Sequence, residues 1–200
     1  MLKIVLLLVL SILPGISWAK SILVLGDSIS AGFGIEVQQG WVALLQQQLV
    51  AQHSSYTISN ESISGETSAG GLARIDQLLK HHKPDLLLLE LGANDGLRGL
   101  SPSAMKTNLL EIIKRSQTAG AKVLLLSMKI PPNYGKRYIE LFYQLYPQIA
   151  AEAKIPYVPF ILEEIALNPL MMQADGLHPN ADGQPQIAAK IWPYLKPMLN

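Results

Sequence analysis

The 200-residue chain predicts an α/β fold, a three-layer α/β/α sandwich around a five-stranded parallel sheet. Two observations carry that expectation. Short apolar runs alternate with segments of helical periodicity, the pattern of crossover connections between parallel strands. The runs are also continuous, as in strands covered on both faces. No repeat, low-complexity tract or linker interrupts the series, so residues 20–200 are expected to form one domain.

Residues 1–19 stand apart. Lys3 is followed by the apolar run Ile4 to Val9, then Leu10-Ser11-Ile12-Leu13, and the run stops at Pro14-Gly15. A membrane-spanning helix needs about 20 apolar residues. Ser17-Trp18-Ala19 supplies the small-x-small pattern that follows a charged start and a short apolar stretch in a secretory signal. Cleavage is expected after Ala19, leaving a periplasmic or secreted protein that begins at Lys20 and has no stable membrane insertion.

The elements then follow in order. Ser21-Ile22-Leu23-Val24-Leu25, ended by Gly26, reads as a strand buried on both faces. Trp41, Leu44, Leu45 and Leu49 recur at helical spacing over 41–50, and Leu72, Ile75, Leu78 and Leu79 do so over 72–79. Between them lies a weak strand, Tyr56 to Ser59. Asp85 to Leu91 is the strongest strand, bounded by Pro84 and Gly92. Ser101-Pro102 is an N-cap followed by proline at the first helical position, opening a helix to about Thr118. Lys122 to Ser127 is a strand, Tyr138 to Ala153 a helix and Pro156 to Phe160 a short strand. A last helix, from about Gln184 to Leu195, is weakened by Pro185 and Pro193.

Open sheets of this kind hold ligands beyond the carboxyl ends of the strands, where the winding reverses. A strand order of 2-1-3-4-5 sets the first and third strands side by side. The segments after them are Gly26-Asp27-Ser28-Ile29-Ser30 and Gly92-Ala93-Asn94-Asp95-Gly96.

Composition narrows the chemistry. The chain has 16 basic and 15 acidic residues and no cysteine. Thiol nucleophiles, disulfides and cysteine-type zinc sites are therefore excluded. No basic stripe exists for a phosphate backbone, so no nucleic acid partner is expected. Gly32-Phe33-Gly34 continues to Val37 where a dinucleotide fingerprint needs a third glycine, and no Gly-x-x-x-x-Gly-Lys occurs. The histidines His53, His81, His82 and His178 lack metal-ligand spacing, so no metal is expected. His53 and the His81-His82 pair read as solvated helix ends, where cations suit the dipole.

His178 differs, standing in Asp175-Gly176-Leu177-His178-Pro179-Asn180 with an acid three residues earlier. Serine-based hydrolysis needs a base within hydrogen-bond reach and a third group to orient it. A compact Asp-x-x-His turn supplies both, although by spacing alone an Asx turn with a surface histidine is the commoner arrangement. Ser28 is the partner that decides between them, since it follows a buried strand through a glycine. Position 30 is Ser30, so the Gly-x-Ser-x-Gly elbow of ordinary α/β-hydrolases is not met. Asp27 reads as a turn cap. Donors for a developing oxyanion are available from the Ser28 amide, the Gly65 amide and the Asn94 side chain.

Taken together, Gly26-Asp27-Ser28-Ile29-Ser30, Asn60 through Gly65-Glu66-Thr67, Gly92-Ala93-Asn94-Asp95 and Asp175-Gly176-Leu177-His178-Pro179 resemble, in order, the four blocks of the GDSL or SGNH hydrolases. Asn94-Asp95-Gly96-Leu97-Arg98-Gly99 and Pro132-Asn133-Tyr134-Gly135 resemble its branch of periplasmic acyl-thioesterases, arylesterases and lysophospholipases. The resemblance implies a flavodoxin-like SGNH hydrolase fold and an acyl-enzyme mechanism without a cofactor. It implies Ser28 as nucleophile, His178 as base, Asp175 orienting it, and Ser28, Gly65 and Asn94 as oxyanion donors. Ile29 replaces the usual leucine, and Ala93 stands where close relatives often have glycine.

Leu97, Arg98, Gly99 and Leu100, with Pro132, Asn133 and Tyr134 after the fourth strand, are expected to flank the substrate. The expected substrates are small-molecule acyl esters, thioesters or lysophospholipids, and the expected state is a monomer. Two other functions fit the same scaffold: a carbohydrate acetylesterase, and a lipid- or glycan-binding module without turnover.

Overall fold

A computed structural model describes residues 20–199; the expected signal segment, 1–19, lies outside the described residues. Five parallel strands form one sheet in the order β2-β1-β3-β4-β5. They are β1 (Lys20–Gly26), β2 (Tyr56–Asn60), β3 (Leu86–Glu90), β4 (Lys122–Leu126) and β5 (Tyr157–Val158). The longer helices are α2 (Trp41–Ala51), α3 (Ser68–His82), α5 (Pro102–Thr118), α6 (Lys136–Ala153) and α7 (Gln184–Leu195). Helices α3, α5 and α6 pack side by side on one face, and α2 with α7 on the other. The three-layer expectation and the strand order both hold.

The strands form where apolar side chains have cover on both sides. Leu86, Leu87, Leu88 and Leu89 of β3 are fully buried, as are Ile22 to Leu25 of β1. Each such side chain contributes about 1.5–3 kcal/mol relative to an exposed one, so the central pair anchors the core. β5 is cut to two residues because Pro156 and Pro159 bracket it, and proline has no N–H for the ladder.

Several boundaries differ from the expectation for physical reasons. Helix α3 begins four residues before the apolar pattern, at Ser68, capped by the Thr67 side chain accepting from the Gly70 N–H. Its first turn is built of small residues because a Cβ at Gly71 would stand 2.4 Å from Leu91. Such a turn shows no hydrophobic period. Two single-turn helices, α1 (Ser28–Ala31) and α4 (Ala93–Leu97), also went unread. Both begin directly after the carboxyl ends of neighbouring strands β1 and β3, which pair with Gly26 opposite Glu90.

Candidate active site

Ser28 is the first residue of α1, and Asp27 caps that helix by accepting the Ile29 N–H at 3.0 Å. The turn is tight. A Cβ at Gly26 would lie 2.6 Å from the Ser30 hydroxyl and 2.8 Å from a Glu90 carboxyl oxygen, so this close approach requires glycine.

The Asp175–His178 turn meets it from the other end of the chain. Oδ1 of Asp175 accepts the N–H groups of Leu177 at 2.9 Å and His178 at 3.0 Å, while Oδ2 lies 2.6 Å from Nδ1 of His178. The imidazole's far nitrogen, Nε2, is 2.9 Å from Oγ of Ser28. The residues expected as base and orienting acid therefore share one turn, and the expected nucleophile lies within hydrogen-bond distance of it. The Asx turn that competed with a catalytic reading is present as well; one carboxylate serves both uses.

Two contacts that the sequence analysis missed hold this arrangement. Gln173 donates its N–H to the His178 carbonyl at 2.8 Å and its side-chain amide to the carbonyls of Phe33 at 2.7 Å and Pro179 at 3.0 Å. It thereby clamps the histidine turn to the segment after α1. Phe33, half exposed, lies 4.6 Å from the imidazole, ring centre to ring centre. A glutamine in a polar loop gives no sequence signal for a clamp that spans 140 residues.

The segment after β2 runs alongside the same turn. Ile63 donates its N–H to the Gly26 carbonyl at 3.0 Å, and the Asn60 amide donates to the Ser30 carbonyl at 2.8 Å. Gly65 has φ of +81°, a conformation that side-chain-bearing residues rarely adopt. Its carbonyl accepts from Arg98 at 2.7 Å, and the next residue, Glu66, is ion-paired with Arg74. His82 is not the solvated helix end that its position suggested. Its ring nitrogen Nε2 lies 2.9 Å from Glu61, with the side chain only 15% exposed, so it braces the start of this segment.

Asn94, in α4, donates its side-chain amide to Oδ2 of Asp27 at 3.0 Å. Asp27 thus caps the serine's helix and holds the asparagine, which extends the capping role read from sequence. Among the predicted flanking residues, Leu97 offers its carbonyl to the Tyr134 hydroxyl at 2.8 Å and Leu100 offers its own to Tyr138 at 2.9 Å. Pro132, Asn133 and Tyr134 form a 3-10 turn. The two predicted flanks are therefore strapped together.

Electrostatics divide the acids of the site. Partial burial alone would raise the Asp175 pKa, but the two N–H groups and the imidazole outweigh it and hold the carboxyl at about 2. Asp27 goes the other way. Burial raises it to about 6 despite the N–H donors it receives from Ile29 and Asn94. Glu90, completely buried, is pushed well above the usual carboxylate range by desolvation and then by the neighbouring Asp27 charge.

A cleft of about 500 Å³ opens beside the Asp175–His178 turn, bordered by Gly176 and Leu177. Its walls are mainly apolar, with Ile130, Phe160, Leu162 and Met172 among them, and Lys129 and Glu163 as charged members. Pro132 borders it; Leu97, Arg98, Gly99, Leu100, Asn133 and Tyr134 are not among its lining residues. Tyr134 instead edges a separate shallow hollow with Lys136 and Arg137.

Residues 24–185 match the family model of the GDSL-like lipase/acylhydrolases. The chain belongs to that family. As a GDSL-like acylhydrolase it is a serine hydrolase, and it has well-matched relatives. It is 51% identical over 181 residues to esterase TesA of Pseudomonas aeruginosa, covering 90% of each chain. It is 45% identical over 170 residues to an arylesterase of Vibrio mimicus, 85% of each. To the thioesterase 1/protease 1/lysophospholipase L1 of Escherichia coli strain K12 it is 44% identical over 182 residues, covering 91% of this chain and 86% of that one. A crystal structure of TesA superimposes with a TM-score of 0.88 at 50% identity, over 90% of this chain and 99% of that one. The GDSL-like fold read from the four sequence blocks is thus the fold of the protein. The two departures, Ile29 and Ala93, are both buried.

Proposed function

We propose that this GDSL-like hydrolase cleaves acyl esters and thioesters through an acyl-enzyme formed on Ser28. Aryl esters, acyl-CoA thioesters and lysophospholipids are the substrate classes, in keeping with the activities for which the relatives are named. The observation that carries the reading is the continuous relay from Asp175 to His178 at 2.6 Å and from His178 to Ser28 at 2.9 Å. The second distance is that of a base ready to take the hydroxyl proton, and the first is that of an acid hydrogen-bonded to the base it orients.

His178 accepts the Ser28 proton as Oγ attacks the acyl carbonyl. Asp175, ionised at any ordinary pH, keeps the imidazole in the tautomer that presents Nε2 to the serine and stabilises the imidazolium that results. The Ser28 and Gly65 amides and the Asn94 side chain donate to the oxyanion. The tetrahedral intermediate collapses, with His178 protonating the leaving alcohol or assisting the thiolate. Water, deprotonated by His178, then releases the acyl group and restores the serine. The apolar cleft next to Leu177 takes the acyl chain.

We further propose that residues 1–19 are a cleavable export signal, so that the enzyme works as a monomer in the periplasm or outside the cell. Amino-terminal sequencing of the exported protein should read from Lys20.

The deciding experiment pairs a fluorophosphonate probe with a panel of p-nitrophenyl esters and acyl-CoAs of graded length. The wild type should label covalently at Ser28 and prefer acyl chains longer than acetyl. A protein that does not label, or a folded Ser28→Ala variant with wild-type turnover, would sink the reading. An acetyl optimum would favour a carbohydrate deacetylase.

A further inference from the structure

Glu90 is an acid at the end of the most apolar strand in the protein, with no solvent access. The register of β1 against β3 sets it opposite Gly26, directly beneath the nucleophile turn. Its Oε2 accepts two hydrogen bonds from that turn, from the Ser30 hydroxyl at 2.7 Å and from the Asp27 N–H at 3.2 Å. These donors flank Ser28 on either side. Its other oxygen, Oε1, has no hydrogen-bond partner among the described residues. An acid so placed, which the four family blocks do not include, calls for a function.

We infer that Glu90 is a positioning residue for the reaction: its carboxyl pins the Asp27–Ser30 turn from inside the protein and so fixes where the Ser28 hydroxyl stands relative to Asn94. The inference rests on the proposed roles of Ser28 and Asn94. Two buried carboxylates side by side cannot both be ionised at low cost, and the hydrogen bonds say which keeps the proton. Asp27 receives N–H donors on both oxygens, from Ile29 and from Asn94, and is the anion. Glu90, with one oxygen that receives no donor, is the neutral acid.

The other titratable groups around the pair act in the same direction. Tyr146 of α6, fully buried, and Asp95 of α4 add no positive charge that would favour ionised Glu90, and the charge of His178 acts on Asp27. When Glu90 ionises, a second negative charge therefore pushes directly on Asp27. Asp27 in turn holds both Asn94 and the cap of α1.

The test compares Glu90→Gln, Glu90→Leu and Ser30→Ala with the wild type, using one soluble p-nitrophenyl ester. It measures kcat and KM across pH, with thermal unfolding as a folding check and Ser28→Ala as a control. Glutamine keeps a neutral group of the same shape with an acceptor for both donors. It should hold kcat within a few-fold and abolish the fall in kcat expected of the wild type where Glu90 ionises. Leucine removes the acceptor and should lower kcat about 10²-fold, the order expected when a reacting group is displaced by about 1 Å, with KM changed little. If the leucine protein does not fold, Ser30→Ala, which releases one of the two holds, should still lower kcat several-fold without raising KM in step.

Glutamine behaving as badly as leucine would overturn the inference. So would folded leucine and alanine proteins with wild-type kcat, or a wild-type profile with no alkaline fall. Turnover surviving in Ser28→Ala would instead overturn the nucleophile assignment itself, and the two failures are distinct.

Discussion

The guanidinium of Arg98 donates to the carbonyl oxygen of Gly65 at 2.7 Å, tying the residue that follows α4 to the segment that follows β2. The bond fixes one side of a residue whose backbone sits at φ of +81°. Arg98→Ala should reduce kcat on a simple aryl ester by about tenfold, the scale of one hydrogen bond to a charged group. The melting temperature should hardly move, because the contact is exposed. Steady-state kinetics beside a thermal melt check both parts, and an unchanged kcat would show that Gly65 keeps its place unaided.

Asn94→Ala should lower kcat by about 10²–10³, the typical loss for one oxyanion donor. Asp27→Asn should move activity in the same direction while leaving Asn94 in the protein. An amide at position 27 can turn an N–H toward the Asn94 side chain, where a carboxylate now accepts. Kinetics on the two single variants and the double variant check this. Strongly sub-additive losses are expected, since both act on one donor.

The pH dependence of stability follows from three shifted carboxyls, Asp27 and Glu90 raised and Asp175 lowered. Asp27, raised to about 6 when folded, binds its proton more tightly in the native state than in the unfolded chain. Its contribution therefore declines as pH rises between about 4 and 6. Asp175 has the opposite sign: depressed to about 2, it adds stability above about 4, which is lost as pH falls toward 2. This second contribution is small because the carboxylate is 39% exposed. Thermal melts from pH 3 to 7 should show stability falling above about pH 4 in the wild type, with Glu90 adding to the Asp27 slope in the same direction, and a shallower fall in Asp27→Asn.

Filling the cleft should change chain-length preference without touching the triad. Ala166 lines the cleft and lies partly buried against the core. Ala166→Phe should reduce the rate on octanoyl relative to acetyl esters by about tenfold or more, given what each methylene contributes in an apolar pocket. The ratio of the two p-nitrophenyl ester rates is the measurement. An unaltered ratio would place the acyl chain elsewhere.

Much of this architecture is legible in the residues, and the reasons are local. Ile22 to Leu25 and Leu86 to Leu89 are buried on both faces, so they read as unbroken apolar runs. Ser101 and Pro102 announce α5 through capping chemistry. The chemical groups of the site are legible too, because Ser28 and Asn94 come directly after the buried strands β1 and β3, and His178 stands three residues after an acid in a polar turn. What stayed hidden depends on contacts between distant segments. Helices α1 and α4 are single turns too short to show a period. Glu90 reads as the polar end of a strand until β1 is laid beside it. His82 looks like an ordinary helix end until Glu61 arrives from the segment after β2. The Gln173 clamp and the Tyr134 strap likewise exist only once the loops meet.

Asp175 and His178 sit close together near the carboxyl end of the chain, whereas Ser28 lies 150 residues before the histidine. On the proposed roles, a ribosome makes the nucleophile early and its activating pair late. While the polypeptide is still being synthesised, the serine is an ordinary alcohol among unfinished strands. On the proposed mechanism reactivity then arrives only when the final loop docks, and a chain cut short before that point should be chemically silent, however much of its sheet has formed.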